Sequence, residues 1–325
     1  MQRIELLAPA GDLEKLKIAI EYGADAVYFG GQMFSLRAGA GGFTKEDMIE
    51  GLEFAHERGK KCYMTLNIFA HNEDIKPLTE YLHSIKELPI DAFLISDPGI
   101  MALIKDITNA EIHLSTQANM TNYATANFWY NMGLKRLVLA RELSLAEIEE
   151  LMKNIPEDLE IEAFVHGAMC ISYSGRCLLS NFMADRDSNR GRCAHPCRWK
   201  YALQEEKRPG EYYPIEEDER GTYIMNSKDL CMIEHIEDLA KSNIASAKIE
   251  GRNKSIFYLA IVIGAYRRAI DAYYEGRYDD AEKEQYLIEL SKASHREFTT
   301  GFYYEKADED AQNYKSSSYV REYSF

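Results

Sequence analysis

Short apolar runs alternate with helical patterns along the first 170 residues, and this alternation restricts the possible folds more than any other feature. A short apolar run bounded by turn residues is typical of a buried strand, whereas apolar residues three and four apart are typical of an amphipathic helix. Strict alternation implies parallel strands joined by right-handed crossovers. The predicted strands are Ile4–Ala8, Ala26–Phe29, Lys61–Asn67, Ala92–Ser96, Glu111–Ser115, Arg136–Ala140 and Glu160–Val165.

The segments between these strands carry helix signals. Asp12 is placed to cap the first helix, Thr44 and Asp47 form a capping box for the second, and Ser144 begins another such box. The remaining predicted helices are Ile75–Glu87, Pro98–Ile107, Asn122–Asn131 and Leu145–Lys153.

An eighth unit follows much later, with a strand at Ala245–Ile249 and a long amphipathic helix at Ile256–Tyr274. Eight β-α units predict an α/β fold, the TIM-type (β/α)8 barrel, with a cysteine-rich insertion and a β-hairpin between units seven and eight. The alternative is an open doubly wound sheet, which the absence of a GxGxxG motif at the first turn disfavours.

The predicted domain organisation is one barrel over residues 1–275, which contains the insertion and hairpin at 166–232. Hairpin strands are predicted at Tyr201–Glu205 and Thr222–Met225, with a charged loop between them. Residues 276–325 are predicted to form a C-terminal helix and an extension that leads to a further β-rich module.

The chain has no run of about 18 apolar residues, and its N-terminus lacks the pattern of a signal peptide. We therefore expect a cytoplasmic protein without a membrane partner. In a reducing compartment, clustered thiols are metal ligands or redox groups more often than disulfides.

A cluster of thiols is the strongest chemical signal. Four of the six cysteines, Cys170, Cys177, Cys193 and Cys197, lie within 28 positions and are spaced C-x6-C and C-x3-C. Thiolates select zinc or iron–sulfur clusters. Because the tight C-x2-C pairs of a structural zinc site are missing, the spacing favours a [4Fe–4S] cluster, with zinc as the alternative.

Two further cysteines lie outside this cluster. Cys231 is a fifth candidate ligand, because the predicted hairpin would bring it near. Cys62 lies inside a predicted strand and is expected to be a buried apolar residue. A cysteine nucleophile at Cys170, four residues after His166, is disfavoured because it would not explain the neighbouring thiols.

Polar residues follow several predicted strands, at the barrel end where active sites form. They could line a pocket for a small anionic substrate, although Asp97 and Ser144 could equally be helix caps. The candidate substrate-binding residues are Arg141, Glu142, His166, Glu250 and Arg252. Arg141 and Arg252 are the candidates for binding a carboxylate, because a guanidinium pairs with it bidentately. The loop Gly39–Gly42 could bind an anion or be a simple connection.

The chain is acidic overall, with a formal net charge of −15, but the segment 185–200 carries a local excess of positive charge. Such a patch could bind RNA phosphate, with Trp199 and Tyr201 available to stack on a base. The alternative is that its arginines pair with local carboxylates or with the cluster. The candidate RNA-binding residues are Arg186, Arg190, Arg192, Arg198 and Lys200.

Several motifs together resemble a known family. The stretch from Glu162 to Ser180, with Gly167-Ala168-Met169-Cys170 and Gly175-x-Cys177, is similar to the signature of family thirty-two of the unassigned peptidases, the collagenase-like group. LLAPAGD, DAVYFGG, NSKDLC and KIEGR are also similar to segments of that family, so the resemblance spans nearly the whole chain.

The resemblance implies a function. Several branches of this family are implicated in oxygen-independent hydroxylation and carry iron–sulfur clusters. The segment from Arg186 to Trp199 resembles the branch that supports prephenate-dependent 5-hydroxylation of the wobble uridine in tRNA. The resemblance implies cluster ligands at Cys170, Cys177 and Cys193, with a fourth at Cys231 or, alternatively, Cys197. The implied partners are tRNA, a small carboxylate such as prephenate, and a protein partner or paralogue.

Two other functions are compatible with the sequence. The family label allows a collagenase-like peptidase of unassigned catalytic type, although HExxH, GxSxG and P-loop motifs are absent. The second compatible function is that of an RNA-binding scaffold with a structural zinc site.

Overall fold

A computed structural model describes residues 3–35, 42–170, 172, 177, 179–186, 188–190, 192–196, 202–203, 213–214 and 228–304. Twelve strands lie in these ranges: β1 (Glu5–Ala10), β2 (Ala26–Phe29), β3 (Lys61–Leu66), β4 (Ala92–Ile95), β5 (Glu111–Leu114), β6 (Arg136–Val138), β7 (Glu160–Ala168), β8 (Ala202–Leu203), β9 (Tyr213–Pro214), β10 (Asp229–Cys231), β11 (Ser246–Ile249) and β12 (Phe298–Thr299).

Ten α-helices lie in the same ranges, together with three 3-10 turns, of which one at Ser188–Arg190 is used below. The helices are α1 (Leu13–Glu21), α2 (Lys45–His56), α3 (Asn72–Ile85), α4 (Pro98–Ile107), α5 (Tyr123–Asn131), α6 (Leu145–Met152), α7 (Leu179–Ala184), α8 (Ile236–Lys241), α9 (Ile256–Tyr274) and α10 (Asp280–Ser291).

Eight parallel strands form a closed barrel. Strands β1 to β7 pair in chain order, and β11 pairs in parallel with both β7 and β1. Helices α1 to α6 follow the first six strands, and α9 follows β11. The TIM-type barrel is therefore confirmed, and the open doubly wound sheet is excluded because β11 joins the two edges.

Local sequence signals account for much of this architecture. The Asp12 side chain accepts a hydrogen bond from the Lys15 N–H and caps α1. Thr44 and Ser144 each begin a complete capping box. Asp97 caps α4 by accepting from the N–H groups of Gly99 and Ile100, so its role is that of a cap. These caps satisfy backbone donors that helix ends leave unpaired.

The segment between β7 and β11 holds the insertion. Strand β7 is longer than its neighbours, and its C-terminal part pairs antiparallel with β10 through His166, Gly167 and Ala168. Strand β12 in turn pairs in parallel with β10. The barrel wall is thus extended above β7 by two short strands, one from the insertion and one from the C-terminal part of the chain.

The hairpin differs from the prediction in its second strand. β8, inside the predicted first strand, pairs antiparallel with β9 at Tyr213–Pro214, a position that was predicted to be loop. That segment was predicted to be a loop because it is rich in charged residues, but it also contains two adjacent tyrosines, which have high strand propensity. The predicted strand Thr222–Met225 lies outside the described residues.

Candidate functional site

A cavity of about 180 Å³ lies at the C-terminal mouth of the barrel, which we call the mouth cavity. The cavity is smaller than the roughly 300–1,000 Å³ that drug-sized ligands occupy, which favours a small substrate. Thiols, amides and charged groups share its lining. They include Cys170, Cys177, Cys193, Asn67, Gln117, Arg141, Lys248, Glu250 and Arg252.

Three of the predicted ligands come together at this cavity. Cys170 follows β7 directly, Cys177 precedes α7, and Cys193 follows the 3-10 turn at Ser188–Arg190. All three are partly exposed and none forms a disulfide. Burial raises the pKa of the Cys170 thiol, and the nearby Cys177 and Cys193 raise it further. Three separate segments of chain therefore present thiols to one space.

Hydrogen bonds hold the thiol-bearing segments. The Leu179 N–H donates to Cys177 Sγ at 3.3 Å, and the His195 N–H donates to Cys193 Sγ at 3.4 Å. Buried Ser180 accepts from the Ala194 N–H at 2.9 Å and donates to the Arg186 carbonyl at 2.6 Å. The arrangement fixes the backbone around the thiols and places N–H donors beside two of the sulfur atoms.

The fifth candidate, Cys231, has a different environment. It lies on β10 opposite His166, is 6% exposed, and its Sγ is 4.0 Å from the Tyr266 hydroxyl on α9. Burial raises its pKa to about 12. Cys231 does not belong to the lining of the mouth cavity, and Cys197 lies outside the described residues. The fourth ligand therefore stays a prediction, with Cys231 and Cys197 both open.

The lining of the mouth cavity offers thiols as possible ligands for a metal centre. Within the described ranges, no three His, Cys, Asp or Glu side chains are grouped so that they could hold one metal ion. A cluster is held differently, because each thiolate binds its own iron atom. Three thiols spread over one cavity wall are compatible with that mode.

Arg141 and Arg252 both line the mouth cavity, as the anion-site prediction requires. Arg141 stacks 3.9 Å above the Phe164 ring, and its Nη2 lies 4.0 Å from Glu250 Oε2. Arg252 is 6% exposed, and its Nη1 donates to Ser35 Oγ at 2.8 Å and Thr65 Oγ1 at 3.0 Å. A guanidinium can pair bidentately with a carboxylate, so the two arginines are the groups of this lining suited to an anion.

A second cavity of about 470 Å³ adjoins Arg252 on its other side. Gly11, Gly30, Lys15 and Asn253 are among its lining residues. The Lys15 ammonium is 2.8 Å from the Asp12 carboxylate, which reduces its availability for an anion. Gly42 also lines this cavity, whereas the rest of the predicted anion loop, Gly39–Gly41, lies outside the described residues.

Two predicted substrate-binding residues lie elsewhere. His166 is 2% exposed and packs against Tyr258 and Tyr266 of α9 and Phe298 of β12. Burial lowers its pKa to about 3, so the ring is neutral. Glu142 follows β6 but, like His166, is absent from the lining of the mouth cavity. Residues two apart on a regular strand share a face, but the register of β7 against β11 shifts between Phe164 and His166, so Phe164 lines the cavity while His166 packs beneath α9.

Gly167 shows how closely β7 approaches the segment after β11. Its φ is +107°, a conformation that favours glycine, and a Cβ there would lie 2.5 Å from the Glu250 carbonyl oxygen. Any side chain at this position would push apart the strand ends that carry Cys170 and Glu250.

The basic segment is only partly described. Arg186 and Arg192 are exposed, and Arg186 Nε donates to the Arg192 carbonyl at 2.9 Å. The side chain of Arg190, and Arg198 and Lys200 altogether, lie outside the described residues, as do Trp199 and Tyr201. The two visible arginines lie beside the thiol-bearing segments.

The prediction from sequence missed a buried ion network inside the barrel. Arg136 contacts Glu5 at 2.5 Å and Glu162 at 3.4 Å, and Lys248 Nζ lies 2.6 Å from the other oxygen of Glu162. Glu162 is fully buried, yet its pKa is lowered, because Lys248 and Arg136 outweigh the effect of burial. The sequence carried one signal for this network: a charged residue lies inside each of two apolar strand segments, Glu162 in EIEAF and Lys248 in ASAKI.

The assignment of Cys62 to the core is confirmed, and His113 is buried in the core as well. Cys62 is fully buried on β3, and burial raises its pKa far above the usual range of a thiol. His113 is 1% exposed, with its ring edge against Tyr63, and its Nε2 lies 3.6 Å from Glu111. In the part of the chain that the structure describes, no helix is long and apolar enough to cross a membrane.

Comparisons with known proteins show the family of this chain. The chain is 46% identical over 300 residues to tRNA hydroxylation protein P1 of Bacillus subtilis, covering 92% of this chain and 70% of that protein. It is 43% identical to tRNA hydroxylation protein P of Escherichia coli, covering 97% and 78%. It is 36% identical to the 23S rRNA 5-hydroxycytidine C2501 synthase of Escherichia coli, covering 85% and 41%. The model of peptidase family U32 matches residues 11–313, and the chain belongs to that family.

Proposed function

We propose that this protein is an enzyme of tRNA modification that hydroxylates the wobble uridine at carbon 5, in a reaction that depends on prephenate. Two relatives, aligned over 92% and 97% of this chain, carry the name tRNA hydroxylation protein. A third carries the name 23S rRNA 5-hydroxycytidine C2501 synthase. The observation that carries the proposal is the mouth cavity, where three thiols and two guanidiniums meet.

The thiols are the proposed site of a [4Fe–4S] cluster. Cys170, Cys177 and Cys193 would supply three ligands, and Cys231 or Cys197 the fourth. When bound, such a cluster transfers single electrons at a potential that its surroundings set. Partial burial of the thiols and the N–H donors near two of the sulfur atoms support this assignment.

The guanidiniums of Arg141 and Arg252 are the proposed site of the small acid. Prephenate carries carboxylates, which pair with guanidinium in fixed geometry. Both arginines are held by other contacts, Arg141 over Phe164 and Arg252 by two hydroxyls, so binding costs little ordering of their side chains.

Arg186 and Arg192 support contact with RNA. Both are exposed beside the thiol-bearing segments, so a bound tRNA phosphate would lie close to the mouth cavity. The proposed RNA-binding set also includes Arg190, Arg198 and Lys200. A chain with a net charge of −15 would then depend on this patch for its affinity.

The rival function is peptide hydrolysis, which the name of the family suggests. His195 lines the same cavity as Cys193, so a cysteine–histidine pair is the apparatus such an activity would use. A cavity of about 180 Å³ favours a small substrate over an extended peptide.

The experiment is to delete the gene, together with any paralogue, and to measure 5-hydroxyuridine-derived nucleosides in total tRNA by mass spectrometry. We expect these nucleosides to disappear, to return with the wild-type gene, and to stay absent with Cys193→Ser. Cys62→Ala is the matched control, because that thiol is buried in the core, and it should restore them. Unchanged nucleosides in the deletion strain would contradict the proposal, and cleavage of peptides by the pure protein would favour the rival.

A further inference from the structure

One primary amine lies in the wall of the mouth cavity. Lys248 is on β11, its side chain is 4% exposed, and it shares the cavity lining with Arg141 and Arg252. Its Nζ lies 4.3 Å from the centre of the Tyr28 ring and 5.5 Å from that of Phe164. The amine is therefore enclosed by aromatic rings and open towards the space where a small acid would bind.

A carboxylate accompanies this amine. Lys248 Nζ lies 2.6 Å from Glu162 Oε1, while the other oxygen of Glu162 lies 3.4 Å from Arg136. A buried ion pair is a poor means of stabilising a barrel, because apolar residues of similar volume do as well or better. Stability alone therefore does not explain a lysine at this position, and its place on the cavity wall points to chemistry.

We propose that Lys248 is a nucleophile that forms a Schiff base with the ketone of a 2-oxo acid bound in the mouth cavity, with Glu162 as its proton acceptor. The inference rests on the proposed function, because prephenate carries a ketone next to a carboxylate. That carboxylate would engage Arg141 or Arg252, and the neighbouring carbonyl carbon would then face the amine.

The step balances within the pair. Glu162 takes one proton from the Lys248 ammonium, and the free amine adds to the carbonyl carbon to give a carbinolamine. A proton passes from nitrogen to the former carbonyl oxygen, Glu162 returns its proton, and the C–O bond breaks with release of water. The product is a protonated imine beside an ionised Glu162, so the cavity has the same net charge before and after the step.

The surroundings favour the free amine. Burial lowers the pKa of Lys248, although Glu162 and Glu250 partly oppose the change. A buried lysine that loses its proton more easily is a better nucleophile at neutral pH.

The test is reductive trapping. The full chain, prepared without oxygen, is incubated with prephenate or pyruvate and sodium cyanoborohydride, which reduces imines but not ketones. Intact-mass and peptide mass spectrometry should then show a gain equal to the mass of the acid less one oxygen atom, on the peptide that contains Lys248. Glu162→Gln, which keeps the shape but cannot accept a proton, should slow the labelling at least tenfold.

Lys228→Arg is the matched control. Lys228 is also paired with a carboxylate, 3.4 Å from Glu297, but is not part of the cavity lining, so this variant should label like the wild type. Lys248→Arg should keep the charge and lose the adduct. If that variant does not fold, the position of the label in the wild-type peptides still decides the question.

The two proposals fail separately. No label on Lys248 in a preparation that restores hydroxyuridine to tRNA would overturn the Schiff base and leave the hydroxylation function standing. If deletion of the gene leaves hydroxyuridine in tRNA unchanged while Lys248 is specifically labelled, the tRNA function is overturned and a 2-oxo acid site remains.

Discussion

Arg252 Nη1 lies 2.8 Å from Ser35 Oγ, and this contact fixes the guanidinium after β11 to the segment that follows β2. Arg252 forms part of the wall of both cavities at the barrel mouth, so its position affects each of them. The adjacent hydrogen bond to Thr65 adds a third strand to the contact. A single buried guanidinium from the last unit of the barrel is thus held by residues from the second and third units.

Arg252→Lys should weaken binding of the acid, because an ammonium cannot replace the planar guanidinium in a bidentate pair. A hydrogen bond to a charged group contributes about 1.5–3 kcal/mol, so KM for prephenate should rise roughly ten- to hundredfold. The control is Arg267→Lys, an arginine paired with Asp25 and Asp271 away from both cavities. Equal KM values for Arg252→Lys and the wild type would remove Arg252 from the acid site.

Iron content should follow the cysteines. After anaerobic purification, Cys170→Ser, Cys177→Ser and Cys193→Ser should each lose most of the iron and sulfide, whereas Cys62→Ala should keep both. Stoichiometric zinc without iron in the wild type would exclude the cluster and favour the zinc alternative.

The same measurement decides the fourth ligand. One of the two variants Cys231→Ser and Cys197→Ser should lose iron as the three variants above do, and the remaining one should keep its iron. Loss of iron in Cys231→Ser would imply that its thiol turns from the Tyr266 hydroxyl towards the mouth cavity when the cluster binds.

Arg136→Met should destabilise the barrel strongly. The Arg136 side chain is 4% exposed and contacts Glu5, Glu160 and Glu162, so its removal takes the cation from Glu5 and leaves the fully buried Glu162 with Lys248 alone. Breaking a buried pair in this way costs about 3–5 kcal/mol in the free energy of unfolding. In Arg58→Met, where the side chain is 39% exposed beside Glu21, the loss should stay below about 1 kcal/mol. Chemical denaturation measures both, and similar losses in the two variants would contradict the network's role.

Stability should fall as the pH drops below about 6.5, partly because of His113. Burial lowers the pKa of His113, with Glu111 opposing the change and Arg136 adding to it, so the folded ring stays neutral while the unfolded ring takes up a proton. The unfolded state then binds more protons, and acid favours it.

His113→Gln should therefore reduce the slope of unfolding free energy against pH, as the pH falls below about 6.5, by up to about 1.4 kcal/mol per pH unit. Denaturation at several pH values checks this. An unchanged slope in His113→Gln would show that the folded ring is protonated.

Binding of tRNA should weaken with the basic segment. Arg186→Gln and Arg192→Gln should each lower affinity and reduce the dependence of log K on log salt by roughly one unit per lost phosphate contact. Lys135→Gln, at the opposite end of the barrel beside β6, should change neither quantity. Titration by fluorescence anisotropy at several salt concentrations would show whether the segment contributes.

Sequence alone was sufficient for most of the fold. Short apolar runs and period-3.6 patterns identified all eight barrel strands and helices α1 to α6 and α9, and the capping residues Asp12, Thr44 and Ser144 have the roles predicted for them. Pro98–Ile107 and Ile256–Tyr274 are the exact helices of the structure. These features depend on neighbours close in the chain, and therefore appear in local patterns. The hairpin was less accessible, because each of its strands has only two residues and charged residues surround them.

The site depended on tertiary structure. Chemical type alone marked Cys170, Cys177, Cys193, Arg141 and Arg252, and closure of the barrel brings them to one cavity. Closure also turns His166 beneath α9 and joins Lys248 to Glu162 across 86 positions of sequence. Which face of a strand meets the interior depends on register and on the bulge between Lys248 and Ile249. A local pattern carries residue type but not the direction of each side chain, since that direction is fixed only when distant strands pair.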